Sequence, residues 1–349
     1  MSNKEPIMNI GLVLPEDNQS HISMTLNGTN FGISINSVVQ KKIEASLDII
    51  LQNNKMYLNG AQCEKIIIKN GQREITNNIN LNPIIAGRGF HWQKKINIKV
   101  VGDIFIEVID QSLFVINKIH LEDYLMCVAT SEMGSECPPS LLEAQTIVAR
   151  SWILAAQEKK HKKLGLDACN DDCCQRYQGI SNINDHSIKA ARNTKGIVIM
   201  HDNTICDARY SKSCGGRTEK GENVWDMDYK PYLETTLDSE YNDQIDLSNE
   251  KSFRQWLISE SSSYCSPKFI KEKNLNKYLG NVDEKGEYHR WEVSYTNDEL
   301  IKIIFDKSGK KFSKITKIVI KKRGVSGRIL YLDVLGKNMK RKELLLSIK

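Results

Sequence analysis

No stretch of this 349-residue chain stays apolar for the ~18–20 residues that a membrane-spanning helix needs. The opening, "MSNKEPIMNIGLVLPEDNQ", has one early lysine and a short apolar patch broken by Pro15. That patch is too short for the apolar core of a signal peptide, and no small-residue cleavage site follows it. The expectation is a soluble protein with no transmembrane segment and no visible export signal. Charge of one sign is also scarce: 49 Lys and Arg against 43 Asp and Glu leave +6 and a pI near 8.7. So small an excess suits an ordinary solvated surface, and no nucleic-acid partner is expected. A phosphate-cradling Gly-Lys loop, a dinucleotide fingerprint and a Ser-His-Asp order are all missing, which ranks phosphoryl and hydride transfer low. There is no internal repeat. The nine cysteines are odd in number, and their spacing is not that of a small disulfide scaffold.

The remaining composition, 40% hydrophobic and 26% charged, is that of a globular protein, and the length allows two domains. Residues 7–117 read as strand: short or alternating apolar runs recur in "IMNIGLVL", "HISMTLNG", "KIIIKNG", "KINIKVVGDIFIEVID" and "SLFVINKI", with Asn-Gly and Gly-Asp turn signals. At His120 the period changes. Leu121, Tyr124, Leu125 and Val128 share one helical face up to about Gly134, and Ser140 to about Lys160 reads as a second helix. "SLLE" at 140–143 resembles a capping box there, and Pro138-Pro139 suits a helix entry. A basic, cysteine-bearing loop, a short helix "NDHSIKAARNT" and a hairpin-like "GIVIMHDNTICDARYSKSCGG" follow. Residues 239–290 are polar, with loops and short helices expected, and "KITKIVIKKRGVSGRILYLDVLGK" closes the chain as strands. Strands, a helical centre and strands again make an α+β protein.

Three places carry chemistry. Glu132 is expected just after the first helix, ahead of a loop, where rigid helices place catalytic groups. A glutamic acid in a partly apolar cleft protonates leaving oxygens, and glycosidic cleavage is the reaction most often run that way. The competing reading for Glu132 and Glu136 alike is electrostatic dressing of a helix start. In "HKKLGLDACNDDCCQRYQG", His161, Cys169, Cys173 and Cys174 are four donors of the kind zinc prefers; a vicinal disulfide or unrelated buried thiols are the alternatives. "ARYSKSCGGRTEKGENVWDMDYKPYL" gathers hydroxyls and aromatics around Gly215-Gly216, which suits a sugar face as well as a plain hairpin tip.

Three ordered segments resemble the sporulation stage II protein D family, also called the SpoIID/LytB amidase-enhancer family. They are "INKIHLEDYLMCVATSEMGSECPPSLLEAQTIVARSW", "ACNDDCCQRYQG" and "ARYSKSCGGRTEKGENVW", and "RWEVSYTNDEL" and "KRGVSGRILYLDVLG" look like the family's C-terminal part. The resemblance covers roughly 95–340, and it implies a catalytic domain over 96–340, with the polar stretch at about 239–290 as an insertion, after the β-rich region over 1–95. Its β-hairpins and C-terminal strands would form a glycan-binding groove.

The resemblance further implies a lytic transglycosylase that cuts peptidoglycan glycan strands, preferably stripped of stem peptides, to 1,6-anhydro-N-acetylmuramic ends. Glu132 matches the single catalytic acid/base. Gln145, Arg150, Gln175, Tyr177, Tyr210, Ser211, Ser213, Gly215, Gly216, Thr218 and Glu219 match supporting or substrate-binding positions. His161, Cys169, Cys173 and Cys174 map onto a structural zinc loop, the chemistry itself needing no cofactor. The same motifs serve the family's amidase enhancers, which bind glycan and stimulate or recruit an N-acetylmuramoyl-L-alanine amidase; either role implies a location in the cell envelope. Gly134, Cys137 and Cys214 depart from the usual pattern.

Overall fold

The computed structural model describes residues 4–90, 92–156, 160–225, 227–240, 245–259, 262–274, 289–340 and 342–348. These form two compact units, one up to Ala208 and one from Arg209 on.

The first unit is strand-rich. Its strands are β1 (Ile7–Val13), β2 (His21–Asn27), β3 (Phe31–Ile35), β4 (Val38–Val39), β5 (Ser46–Gln52), β6 (Lys55–Leu58), β7 (Ala61–Cys63), β8 (Lys65–Asn70), β9 (Asn78–Ala86), β10 (Lys94–Val100), β11 (Asp103–Ile109) and β12 (Ser112–His120). Helices α1 (Leu121–Met133) and α2 (Pro139–Ala155) follow, then β13 (Ala168–Cys169), α3 (Asp185–Asn193) and the two-residue strands β14 (Met200–His201) and β15 (Thr204–Ile205). One seven-stranded sheet runs β13-β1-β12-β11-β8-β3-β4, and a six-stranded sheet runs β10-β9-β2-β5-β6-β7.

Period-2 alternation places the core. In β5, Leu47, Ile49 and Leu51 are buried while their neighbours face water. Between β5 and β6, Asn53 and Asn54 both take positive φ, the two-residue turn whose twist suits a hairpin. Ile10, Leu12, Ile22, Met24, Ile104 and Ile106 join Leu125, Val128 and Trp152 of α1 and α2 in one core, so both sheets and the helices close over the same apolar volume. Residue 95 lies inside β10, where Lys95 pairs with Ile85 of β9. Residues on both sides of that position therefore share one sheet, and division by compactness falls at residue 208 instead.

Two local details differ from the sequence reading. Helix α2 starts at Pro139 with Pro138 as its N-cap and no side-chain cap, so "SLLE" forms no capping box. Proline at the first helical position removes an N–H that would have had no partner there anyway. The hairpin expected around 196–216 reduces to β14 and β15.

The second unit contains α4 (Gly221–Val224), α5 (Glu250–Ile258), α6 (Asn297–Ser308) and an antiparallel sheet of β16 (Phe312–Arg323), β17 (Ile329–Asn338) and β18 (Glu343–Ile348). Thr296 and Glu299 form the capping box of α6. Ile304, Phe312, Ile315 and Val334 make a small core between α6 and the sheet. Among the described residues of the polar stretch at 239–290, α5 and a 3-10 turn at Glu272–Asn274 are regular; residues 241–244, 260–261 and 275–288 lie outside those described. Strands and helices together make the α+β class expected. No helix among the described residues is long and apolar enough to cross a membrane.

Candidate active site and metal cluster

Glu132 sits in the last turn of α1, one residue before the helix ends, rather than in the loop beyond it. The helix stops at Gly134, whose φ of 85° and ψ of 154° no side chain tolerates well, and whose N–H still reaches Thr130 O at 3.1 Å. Cys137 is buried and donates its thiol hydrogen to Met133 O, folding the loop back on the helix end. Glu136 is exposed.

The half-buried Glu132 carboxylate faces the strand-like exit of the cysteine loop. The backbone N–H of Arg176 donates to Glu132 Oε1 at 2.8 Å, and the N–H of Gln178 donates to Ser131 Oγ at 3.1 Å. Two consecutive residues of α1 thus bind alternate amides of residues 176–178. The intervening side chains point inward. Tyr177 is fully buried, stacked on Tyr124 at 5.3 Å, and donates to Asn117 Oδ1 at 2.7 Å. Its burial pushes the phenol well above its ordinary pKa. Gln175, also fully buried, accepts from Tyr124 Oη at 3.0 Å and donates to Ala149 O at 3.3 Å. Both lock the loop to the helices rather than face solvent.

Arg150, 1% exposed, points to the other end of α1. It grips Glu122 through two bonds of 3.0 and 2.6 Å and also reaches Ile197 O and Thr194 Oγ1. Gln145 is buried on α2, and its Nε2 has no protein partner among the described residues. A cavity of about 670 Å³ opens at the start of α1 between His120, Asp123 and Lys118; Glu132 does not line it.

His161, Cys169, Cys173 and Cys174 come together with their donor atoms all within 4.8 Å of one another. Cys169 and Cys173 sulfurs are 3.2 Å apart, and Cys173 Sγ is 3.5 Å from His161 Nε2. A turn closed by Cys174 N–H to Asp171 O at 2.9 Å bends the backbone enough for adjacent cysteines to face one point. Hydrogen bonding with Cys169 holds the Cys173 thiol far below its ordinary pKa. The reverse interaction pushes Cys169 up, and the bonds to Cys173 and Cys174 raise His161 to about 10. In a tetrahedral zinc site with Zn–S bonds of about 2.3 Å, sulfurs lie about 3.8 Å apart. Three sulfurs and one imidazole nitrogen within 4.8 Å of one another are a donor set suited to such an ion, with Cys169 and Cys173 moving slightly apart from 3.2 Å to hold it.

Arg176, Trp92 and Asp171, with their partners, also belong to this region, and the sequence left them unassigned. Arg176 forms a double bond pair with Asp172, at 2.9 and 3.1 Å, and lies over the Trp92 ring at 4.9 Å. Trp92 stacks on the exposed Phe90 in the turn between β9 and β10. That turn is tied to the cysteine loop: Asp171 accepts from the N–H groups of Gly87 and Arg88 at 2.8 and 2.6 Å, and the Arg88 side chain bonds Asp17 and Asn170. Gly87 admits Trp92, because a Cβ there would meet the ring at 2.5 Å.

Tyr210, Ser211, Ser213, Gly215, Gly216, Thr218 and Glu219 belong to the second unit. Ser211 and Ser213 are exposed; Thr218 closes a turn with Thr236 through its N–H and Oγ1. Glu219 is buried and holds the Gly324–Ser326 turn: it accepts from Ser326 Oγ, Asn223 Nδ2 and Lys220 N–H. Burial raises its pKa, and these hydrogen bonds outweigh that and leave it lowered. A carboxylate so fully satisfied is a structural tie.

Residues 110–201 match the family described as SpoIID, stage II sporulation protein, and residues 219–345 match a domain of unknown function, DUF8618. Residues 210–216 fall between the two matches. Over 148 residues, 42% of this chain, it is 28% identical to a protein of Brachyspira hyodysenteriae of undescribed function. It is 33% identical over 106 residues, 30% of this chain, to the amidase enhancer of Bacillus subtilis. It is 26% identical over 134 residues, 34% of this chain, to stage II sporulation protein D of Bacillus amyloliquefaciens. The matched stretches make up 40%, 14% and 39% of those proteins, so the chain spans well under half of each. The segment that carries α1, Glu132 and the cysteine loop thus matches the SpoIID family.

Proposed function

We propose that the chain is a lytic transglycosylase of peptidoglycan, acting in the cell envelope on glycan strands stripped of stem peptides, with Glu132 as its acid and base. The observation that carries this reading is the seating of Glu132: a half-buried carboxylate at a helix end, one oxygen fixed by the Arg176 N–H, beside the Trp92–Arg176 stack. The exposed Phe90 ring, held by its stacking on Trp92, suits the face of a pyranose. The protonated Glu132 gives its proton to the glycosidic oxygen as the C1–O bond breaks. The carboxylate then removes the proton of the muramic C6 hydroxyl as that oxygen bonds to C1, closing the 1,6-anhydro ring. One carboxyl serves both steps, so no second acid at glycosidase spacing is needed.

His161, Cys169, Cys173 and Cys174 would hold a zinc ion that fixes the fold of their loop. The chain's own part is then positional: the loop exit delivers the Arg176 amide to Glu132. Tyr210, Ser211 and Ser213 are proposed as glycan contacts, and Gly215 and Gly216 as the turn that presents them. Gln145, Arg150, Gln175, Tyr177, Thr218 and Glu219 support the two units from within.

The likeness to an amidase enhancer at 33% identity favours a second reading, in which the chain grips glycan and stimulates a cell-wall amidase without cutting. Mass spectrometry of peptide-free glycan strands after incubation with the wild type and with Glu132→Gln separates the two. Anhydromuramic ends from the wild type alone support the transglycosylase. Intact strands that remain bound, with faster amidase release of stem peptides from whole sacculi, support the enhancer.

A further inference from the structure

A second cluster of metal-type donors lies wholly within the second unit. Cys214 Sγ, a carboxylate oxygen of Asp238 and Cys265 Sγ are all within 4.8 Å of one another, and all three residues are half-buried. Cys214 Sγ is 3.3 Å from Asp238 Oδ2, and Cys265 Sγ is 3.9 Å from His289 Nδ1. Two thiols and a carboxylate therefore converge, and an imidazole borders them through Cys265, from segments up to 75 residues apart in sequence. The backbone builds the convergence. Residues 216–218 run beside 236–238, through Thr218 N–H to Thr236 O at 2.9 Å and Asp238 N–H to Gly216 O at 3.0 Å. Residue 238 is in turn joined to the third segment by Tyr264 N–H to Asp238 O at 2.9 Å, next to a Ser239–Ser263 bridge.

Two further observations point to an ion. Gly216 donates its N–H to Cys214 Sγ at 3.3 Å, and a positive φ at both Gly215 and Gly216 turns that amide toward the sulfur. Amides aimed at sulfur favour the thiolate form that ligates metals. Second, among the described residues between 209 and 290, Leu247 is the only buried hydrophobic. Chain segments without enough apolar burial are commonly held by a metal or a crosslink. Beside the cluster, Arg290 donates to Gly215 O and His289 O, and its positive charge offsets the surplus negative charge of two thiolates and a carboxylate around a divalent ion.

We infer that Cys214, Asp238, Cys265 and His289 form a second zinc-type site, independent of the cysteine loop, that pins the Gly215–Gly216 turn to the rest of its unit. The mixed sulfur, nitrogen and oxygen set selects a borderline ion such as Zn²⁺ over Mg²⁺ or Ca²⁺. A Cys214–Cys265 disulfide is the competing outcome, but it leaves the approach of Asp238 and His289 without a purpose.

The test is elemental analysis of the purified full chain, with Cys214→Ser, Asp238→Asn and His289→Ala beside it. The inference expects the wild type to carry one more equivalent of zinc than Cys214→Ser. A Cys173→Ser variant should lose a different equivalent, so that the double variant Cys173→Ser/Cys214→Ser holds none. Should Cys214→Ser fail to fold, Asp238→Asn supplies the same comparison. Cobalt(II) loaded into Cys173→Ser should give sulfur-to-metal charge-transfer absorption that vanishes on adding Cys214→Ser. Equal zinc in wild type and the unit-two variants, or an intact mass lower by two hydrogens with both thiols unreactive, overturns the inference.

Discussion

Arg150 discriminates between a scaffold and a site, and its substitution has a calculable cost. The side chain is 1% exposed, and its partner Glu122 is 13% exposed. Replacing Arg150 by Met strands a largely buried carboxylate and leaves Ile197 O and Thr194 Oγ1 short of a donor. Breaking a buried pair by removing one partner costs about 3–5 kcal/mol. Because Glu122 keeps some access to water, the lower end applies, about 3 kcal/mol. In a unit of roughly two hundred residues that corresponds to a fall in Tm of about 6–12 °C. Guanidinium unfolding of Arg150→Met, Glu122→Gln and the paired apolar variant E122L/R150L should place the paired variant closest to wild type, since an apolar pair leaves no stranded charge. The rate on glycan strands, per folded molecule, should be unchanged. A fully stable Arg150→Met that has lost cleavage would refute the reasoning and move Arg150 into the reaction.

Trp92→Ala should weaken binding to glycan strands by roughly five- to thirtyfold, the equivalent of about 1–2 kcal/mol. Its circular dichroism should match wild type; binding unchanged in a calorimetric titration would remove Trp92 from the glycan surface. Tyr177→Phe leaves Asn117 Oδ1 without its donor in a buried place and should cost about 1–3 kcal/mol in denaturant unfolding. Chelation, or Cys173→Ser, should lower the melting temperature of the first unit and slow cleavage, because the loop that supplies the Arg176 amide loosens; cleavage at full rate in metal-free protein would count against that coupling. Glu219 sets a pH dependence in the second unit. Its carboxyl is lowered in the folded state, so its stabilisation is complete above the unfolded pKa and disappears as pH falls through the folded value. Glu219→Gln should therefore be less stable than wild type by about 1–3 kcal/mol at neutral pH, with the gap closing below about pH 4.

What could be read in the sequence followed the distance along the chain between partners. His161, Cys169, Cys173 and Cys174 lie within fourteen residues, and a single loop is enough to gather them. The strand and helix periods were legible because one residue's burial repeats in its near neighbours. Glu132 was recognisable by its motif, but its position in the helix depended on where Gly134 breaks the hydrogen-bond ladder. Arg150 carried an ambiguity that only burial resolves: a helical arginine looks the same in sequence whether it faces Glu122 or a substrate. The Trp92–Arg176 stack and the Asp171 bonds to Gly87 and Arg88 span more than eighty residues, and no local pattern announces them. The same holds for Cys214, Asp238, Cys265 and His289, which are scattered singly among polar residues.

Strand β1 has a consequence for the order in which the molecule is made. It pairs antiparallel with β12 and, on its other edge, parallel with β13, where Gly11 faces Cys169. Asn9 N–H is also bonded to Asp167, 158 residues later. Closing so long a loop is slow, because its entropy must be spent before the contacts return anything. During synthesis β1 is left with an open edge until residues 167–169 have emerged to pair with it. The exposed edge of β1 is therefore a stretch of the nascent chain that needs shielding until then.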